Sequence, residues 1–153
     1  MSINVGQLDG CTFDPAGASV LVDGLTTSVS AGCSTGGSGE CYSLNNYWII
    51  WLPMPCTLDT LATTGFSRDT SSGGVEVSIA YWNGSWNTVN SQQYGNPSAT
   101  GPWYNVTGLR LEIDASCGAP VACHAYATIQ ELVGMGNPSM APMPTNMTRS
   151  SAI

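Results

Sequence analysis

Cysteines are the residues of this 153-residue chain whose spacing predicts chemistry most directly. Cys33 and Cys41 enclose the Gly/Ser-rich segment STGGSGE, and Cys117 and Cys123 enclose the segment GAPVA. Because each pair closes a short loop, the spacing favours two local disulfides.

The two remaining cysteines, Cys11 and Cys56, are expected to form a third disulfide. Other pairings stay open, and so do buried free thiols, which are common core residues. A zinc site is disfavoured because no two cysteines have the C-x₂-C spacing typical of structural zinc. We therefore expect an oxidised protein without a metal ligand set.

Residues suited to catalysis are sparse. His124 is the single histidine and lies in an alternating segment typical of a strand, where we interpret it as a structural residue. A Ser-His-Asp arrangement would need this one base, and no G-x-S-x-G segment is present. Glu112 and Asp114 share one strand face, which we interpret as solvated rather than as a catalytic carboxylate pair. We expect no enzymatic activity.

The charge balance excludes several classes of partner. The net charge is −7, and the three basic residues are all arginines. Phosphate neutralisation on nucleic acid needs clustered Lys and Arg, and attraction to an anionic membrane surface needs the same. No apolar run approaches the ~20 residues of a transmembrane helix. We expect neither nucleic-acid binding nor membrane insertion.

The N-terminal segment MSINVGQLDG has neither the basic nor the apolar region of a secretory signal, so we expect a complete chain that begins at Met1. Disulfides nevertheless predict an oxidising environment. A virus or phage structural protein, made in the cytosol and oxidised after lysis, reconciles the two expectations. A mature secreted protein is the alternative.

Period-two patterns predict an all-β fold, and the low charged content of 8% disfavours solvated helices. Val75, Val77 and Ile79 alternate with polar residues, and Asn83-Gly84 supplies a two-residue turn, so this region predicts a hairpin. Further strands are expected at 18–25, 47–52, 105–114 and 123–133, separated by loops at 26–46 and 91–103.

The chain divides into an irregular segment 1–17, a single β-sandwich 18–134 and a tail 135–153. Prolines such as Pro138 are expected to keep the tail out of the sheet. A disordered end is one interpretation. The other is an extended arm that binds a groove on a second subunit through four methionines, Met135, Met140, Met143 and Met147.

Several segments resemble the galactose-binding-like jelly rolls, the family of discoidin domains and many carbohydrate-binding modules. In chain order they are ASVLVDG (18–24), WIIWLPMPCTLDTL (48–61), the hairpin VEVSIAYWNGSWNTV (75–89), NVTGLRL (105–111) and ATIQELVG (127–134). The resemblance implies one jelly-roll β-sandwich followed by an extended C-terminal arm.

The resemblance also implies a binding function through loops at one end of the barrel. Aromatic side chains on such loops stack on sugar rings, and the candidates here are Tyr42, Tyr94, Trp103 and Tyr104; Trp48 and Trp86 are assigned to the core. The family's frequent calcium ion lies near the counterpart of Asp23-Gly24. This loop lacks further carboxylates, so a calcium ion is unsupported and no cofactor is expected.

Together these observations predict a non-enzymatic virion structural protein, either a capsid decoration or a tail or fibre component. It would contact other virion subunits and itself as a homo-oligomer on the virion surface, with host-surface glycan binding as an accompanying role. The alternative is a free-standing, secreted carbohydrate-binding module.

Overall fold

A computed structural model of the protein describes residues 1–37, 39–118 and 121–139. Over these ranges the chain forms the predicted all-β sandwich of two antiparallel sheets. Its strands are β1 (Ile3–Asn4), β2 (Thr12–Asp14), β3 (Val29–Thr35), β4 (Cys41–Thr64), β5 (Ser67–Ser71), β6 (Gly73–Trp82), β7 (Trp86–Gln92), β8 (Ser98–Cys117), β9 (Cys123–Ile129) and β10 (Glu131–Pro138). Two short 3₁₀ helices, Val5–Gln7 and Ala16–Val22, lie near the N-terminus.

The larger sheet has the order β1–β10–β4–β8–β6–β7, with β2 also paired to β4. The smaller sheet has the order β3–β9–β5. The core lies between them and consists of the apolar residues that alternate along each strand. The alternation predicted for Val75, Val77 and Ile79 is confirmed, since all three are buried.

Two predicted disulfides are confirmed, Cys33–Cys41 and Cys117–Cys123. The first joins β3 to β4 and the second joins β8 to β9. Each therefore connects the smaller sheet to the larger one, so both covalent links hold the two layers of the sandwich together at one end.

The predicted Cys11–Cys56 disulfide is wrong, because both residues carry free thiols. The thiol of Cys11 donates to the carbonyl of Val5, and that of Cys56 donates to the carbonyl of Met54. Burial raises the pKa of both thiols, so each is mainly protonated and unreactive at neutral pH.

The central strand β4 is longer than predicted, because Pro53 and Pro55 do not end it. On one side β4 pairs with β2 through Ile49–Trp51 and with β10 from Cys56 onward, and its pairing with β8 shifts register between Trp51 and Cys56. The prolines occupy this irregular stretch, where no ladder hydrogen bond needs their missing N–H. The predicted 26–46 loop is likewise shortened by β3 and the start of β4.

The strand predicted at 18–25 is wrong, because Ala16–Val22 is a 3₁₀ helix. Ala18 and Leu21 are its buried residues, and their separation of three matches the period of a 3₁₀ helix. The segment 1–17, expected to be irregular, contains β1, β2 and the Val5–Gln7 helix.

The hairpin is confirmed, but its turn spans three residues, Asn83 to Ser85, between the paired Trp82 and Trp86. Gly84 supplies the positive φ, +114°. The loop predicted at 91–103 is shorter, since β7 ends at Gln92 and β8 begins at Ser98.

The single strand predicted at 123–133 is two strands that belong to different sheets, β9 and β10. Strand β10 continues past the boundary expected at residue 134. Met135 is therefore part of the larger sheet, and Pro138 pairs with Cys56 as the last residue of the strand. Residue Ser139 then donates its N–H to the carbonyl of Pro55. The other methionines of the predicted arm, Met140, Met143 and Met147, lie outside the described residues.

Candidate ligand-binding face

Strand β8 lies at the centre of the larger sheet, between β4 and β6, and its side chains alternate between two environments. One set, Leu109, Leu111 and Ile113, is buried in the core. The other set points away from the smaller sheet and consists of Arg110, Glu112, Asp114 and Ser116. We call the surface around this second set the outer face of the larger sheet.

Three tryptophans meet at one end of this outer face and form an aromatic platform. Gly108 of β8 pairs with Trp51 of β4 on one side and with Trp82 of β6 on the other. Trp86 of β7 pairs with Trp82. The ring centroids lie 6.1 Å apart for Trp51 and Trp82, 5.6 Å for Trp51 and Trp86, and 5.3 Å for Trp82 and Trp86.

A glycine at position 108 allows the platform to form. A Cβ atom there would lie only 2.8 Å from the Trp51 ring and 3.2 Å from Cβ of Trp82. The missing side chain lets both indoles lean across β8 until they touch. All three rings remain half-buried and so keep part of their surface toward solvent.

Arg110 is the next outward residue of β8, and its guanidinium lies between two aromatic rings. Its Cζ is 4.6 Å from the Trp86 centroid and 4.8 Å from the Tyr47 centroid, which is cation–π geometry. Within the described ranges, neither Arg68 nor Arg110 has a carboxylate oxygen within 4.0 Å of its guanidinium. Arg110 is therefore held by aromatic stacking, and no direct carboxylate partner neutralises it.

Two carboxylates, Glu112 and Asp114, follow Arg110 along β8. We call the outward-pointing positions of β8 from Gly108 to Ser116 the row. Burial raises the pKa of Glu112, and the negative charge of Asp114 raises it further, while Arg110 acts in the opposite direction. Asp114 accepts a hydrogen bond from the backbone N–H of Asn45 at 2.7 Å. The Tyr47 hydroxyl donates to the side-chain oxygen of Asn45 at 2.9 Å. These contacts place hydrogen-bonding groups along β8 beyond Arg110.

The other end of the row opens into a pocket of about 330 Å³. Tyr94, Arg68, Glu76, Asp114 and Ser116 contribute its polar lining. The guanidinium carbon of Arg68 lies 4.1 Å from the Tyr94 ring centroid, and the same group donates to the carbonyl of Gln93 at 2.7 Å. An arginine stacked on an aromatic ring thus occurs near both ends of the row.

The four aromatic residues predicted as ligand contacts fall into two groups. Tyr94 is exposed in the pocket, and the exposed Tyr42 pairs with Ser116 at the same end of the face. Trp103 is half-buried against the core, with its ring 5.3 Å from that of Tyr81. Tyr104 is exposed on β8. Their role as ligand contacts remains a prediction.

Sequence reasoning did not identify the aromatic platform or Arg110. Trp48 packs against the core as expected, but Trp86, assigned to the core as well, lies on the outer face. The signal was present in the hairpin, where Trp82 alternates with the buried Val75, Val77 and Ile79 and must therefore point the other way.

His124 lies on the outer face of the smaller sheet, away from the platform. Its Nε2 atom is 2.9 Å from Oδ1 of Asp69, and the Asp69 side chain is 80% exposed. Ser34 and Ser71 are its cross-strand neighbours on β3 and β5. Both side chains are accessible to solvent, so this surface contact contributes little to stability.

The chain matches no protein-family profile and no curated protein. In the part of the chain that the structure describes, no helix is long and apolar enough to cross a membrane.

Proposed function

We propose that the chain is a non-enzymatic binding domain that recognises carbohydrate through the outer face of its larger sheet. The observation that carries this proposal is the platform of Trp51, Trp82 and Trp86 with Arg110 stacked beside it. The galactose-binding-like resemblance has the same functional implication, although it places the contacts on loops.

The chemistry of the face matches that of a sugar chain. A pyranose ring has apolar C–H surfaces and a rim of hydroxyl groups, so it pairs with an indole face and with nearby donors and acceptors. Here Arg110 stacks on an indole, and Glu112 and Asp114 follow it along β8, so the face offers both kinds of hydrogen-bonding group. Neither the platform nor the polar row alone would provide this combination.

The dimensions of the face support an extended ligand. From Gly108 to Ser116 the row is roughly 27 Å long, and the four neighbouring strands β4, β8, β6 and β7 together are about 14 Å wide. The resulting footprint of about 400 Å² is half of the ~800 Å² that each partner buries in a standard protein interface. An oligosaccharide lying along β8 fits this footprint better than a folded partner.

A second candidate function is a subunit contact in a virion, and the same residues favour it. Trp, Tyr and Arg dominate the energetics of protein interfaces, and Tyr47 and Arg110 extend the platform with those types. The virion assignment itself stays a prediction, as does the secreted alternative. Two disulfides between the sheets support an oxidising location, which both settings provide.

The proposal is tested with the purified chain on a glycan array, followed by affinity electrophoresis in gels that contain the soluble polysaccharides identified. Trp86→Ala should weaken binding by about tenfold or more, because it removes one stacking surface and one side of the Arg110 sandwich. Tyr126→Ala is the matched control, since Tyr126 is an exposed aromatic residue of the smaller sheet. Thermal melts establish that both variants are folded.

Equal loss of binding in the two variants would contradict a site on the larger sheet, and an array without any binding would contradict carbohydrate recognition. Size-exclusion chromatography then tests the second candidate function, the subunit contact. A native oligomer that Trp86→Ala dissociates and Tyr126→Ala preserves would assign the face to a subunit contact.

A further inference from the structure

The two disulfides lie side by side at one end of the sandwich, and their sulfur atoms form one cluster. Cys41 and Cys117 face each other directly on the paired strands β4 and β8. The Sγ atoms of Cys33, Cys41 and Cys117 all lie within 4.8 Å of one another. Cys123 is outside this group of three, but its sulfur is bonded to that of Cys117 and therefore lies at its edge.

This spacing is close to that of a tetrahedral thiolate site. A Zn–S distance of about 2.3 Å places neighbouring sulfurs of a tetrahedron about 3.8 Å apart. Once reduced, the two sulfurs of each disulfide must move apart to reach that value, whereas the Cys117 sulfur needs to approach those of Cys33 and Cys41 by about 1 Å at most. The Cα atoms are 6.0 Å apart for Cys33 and Cys41 and 5.7 Å apart for Cys117 and Cys123, so side-chain rotation rather than backbone movement supplies most of the change.

The surroundings fit a metal site as well. Cys117 and Cys123 are buried, which excludes water from two of the ligands, while Cys33 and Cys41 are half-buried and leave a route for an ion. The four ligands come from four strands, two in each sheet. A bound ion would therefore connect the same two layers that the disulfides connect.

We propose that the reduced protein holds one zinc ion in a four-thiolate site formed by Cys33, Cys41, Cys117 and Cys123. Each disulfide takes up two electrons from a phosphine and two protons from water, whose oxygen converts the phosphine into its oxide, so that each S–S bond is replaced by two S–H bonds. The four resulting thiols then release four protons as they bind one Zn²⁺. The sandwich thus has two alternative cross-links at one position, one covalent and one metallic, and the redox state selects between them. This proposal does not depend on carbohydrate binding.

Cobalt is the probe for the test, because Co²⁺ in tetrahedral thiolate sites absorbs strongly in the visible range. The full chain carries Cys11→Ala and Cys56→Ala so that only the four clustered cysteines remain, and it is reduced with a phosphine under anaerobic conditions. We expect one Co²⁺ per chain with a four-thiolate spectrum, displacement by Zn²⁺ and release of four protons. Adding Cys33→Ser and Cys41→Ser should abolish that spectrum and weaken Co²⁺ binding by at least about 100-fold.

Reduction could unfold the chain, so circular dichroism of the reduced chain is recorded with and without Zn²⁺. Recovery of the β-sheet spectrum on adding Zn²⁺ would support the site. A reduced chain that is folded but binds no Co²⁺ would overturn it. So would an unfolded chain that Zn²⁺ does not refold, or an unchanged spectrum in the variant lacking Cys33 and Cys41.

Discussion

On the outer face of the larger sheet Gly108 lies beneath Trp51 and Trp82, and on the outer face of the smaller sheet Gly32 lies beneath Tyr126. In both places an aromatic side chain crosses a neighbouring strand where that strand has no Cβ. The two outer faces therefore share one packing arrangement, here called the packing device, in which a glycine makes room for an aromatic side chain from the neighbouring strand.

The neighbours of the two glycines differ. Next to Gly108 a third indole and a stacked arginine extend the aromatic surface, and carboxylates follow along β8. Next to Gly32, Tyr126 has only the ring of His124, 6.4 Å away, and small polar residues such as Ser34. The packing device alone thus does not define a ligand site. Among the described residues, several aromatic rings converge with charged groups only on the larger sheet, and the candidate site is placed there for that reason.

The largest expected effect is the loss of stability when each glycine is replaced by alanine. Its size depends on which atoms the added methyl group would meet. At position 32 it would overlap the Ala125 carbonyl oxygen and approach the Tyr126 backbone to 2.7 Å, whereas at position 108 it would meet side chains. We expect Gly32→Ala to lower the free energy of unfolding by about 2–3 kcal/mol and Gly108→Ala to lower it by about 1–2 kcal/mol. Urea unfolding monitored by fluorescence measures both.

Gly74→Ala is the matched control, because Gly74 also lies in a strand of the larger sheet and has no atom within 4 Å of its added Cβ. It should change the free energy of unfolding by no more than about 0.5 kcal/mol. Carbohydrate binding should fall for Gly108→Ala but not for Gly32→Ala. A Gly108→Ala variant with unchanged stability and binding would break the comparison, since the platform would then not depend on that glycine.

A smaller effect is expected from Arg110→Lys, which keeps the charge but loses the planar guanidinium between Tyr47 and Trp86. We expect binding to weaken by about five- to tenfold, the equivalent of about 1–1.4 kcal/mol. Isothermal titration with oligosaccharides of increasing length measures it.

Arg68→Lys is the companion variant at the other end of the row, where Arg68 stacks on Tyr94. If the ligand lies along β8, Arg68→Lys should weaken binding of long oligosaccharides and leave short ones unaffected. Equal sensitivity of all lengths to Arg68→Lys would place the short ligands in the pocket instead of on the platform.

Much of the fold could be predicted because strand periodicity reports burial directly. The alternation of Leu109, Leu111 and Ile113 is sufficient to predict a strand with one buried face, and the structure confirms it. The prolines were harder to interpret. Pro138, expected to keep the tail out of the sheet, is the last residue of β10, and Pro53 and Pro55 lie in an irregular stretch of β4; at both places the ladder tolerates a missing donor.

The aromatic platform could not be predicted, because periodicity assigns side chains to the two faces of a strand without saying which residues of other strands lie beside them. In the hairpin, alternation with the buried Val75, Val77 and Ile79 places Tyr81 on the core side and Trp82 on the other side. Only the tertiary arrangement shows that Trp82 meets Trp51 and Trp86. The contact between Trp51 and Trp82 also depends on the alignment of three strands, which no local pattern contains.

The last expected effect is a pH dependence of stability that belongs to neither outer face and comes from Glu131 of β10. The pKa of this carboxyl is raised to about 7, mainly by burial and then by the hydrogen bond and charge repulsion with Asp23, while the N–H of Gly24 acts in the opposite direction. Because the folded chain then holds this proton more strongly than the unfolded chain, the free energy of unfolding should fall as the pH rises from about 4.5 to about 7. Glu131→Gln retains an acceptor for Gly24 and should remove this part of the slope. Urea unfolding across that range measures the difference between the two curves, which isolates Glu131 from other groups such as Glu112. Asp23→Asn should reduce the slope only in part, since burial is the largest cause of the shift. Parallel curves for the wild-type chain and Glu131→Gln would show that this carboxyl titrates alike in the folded and unfolded states.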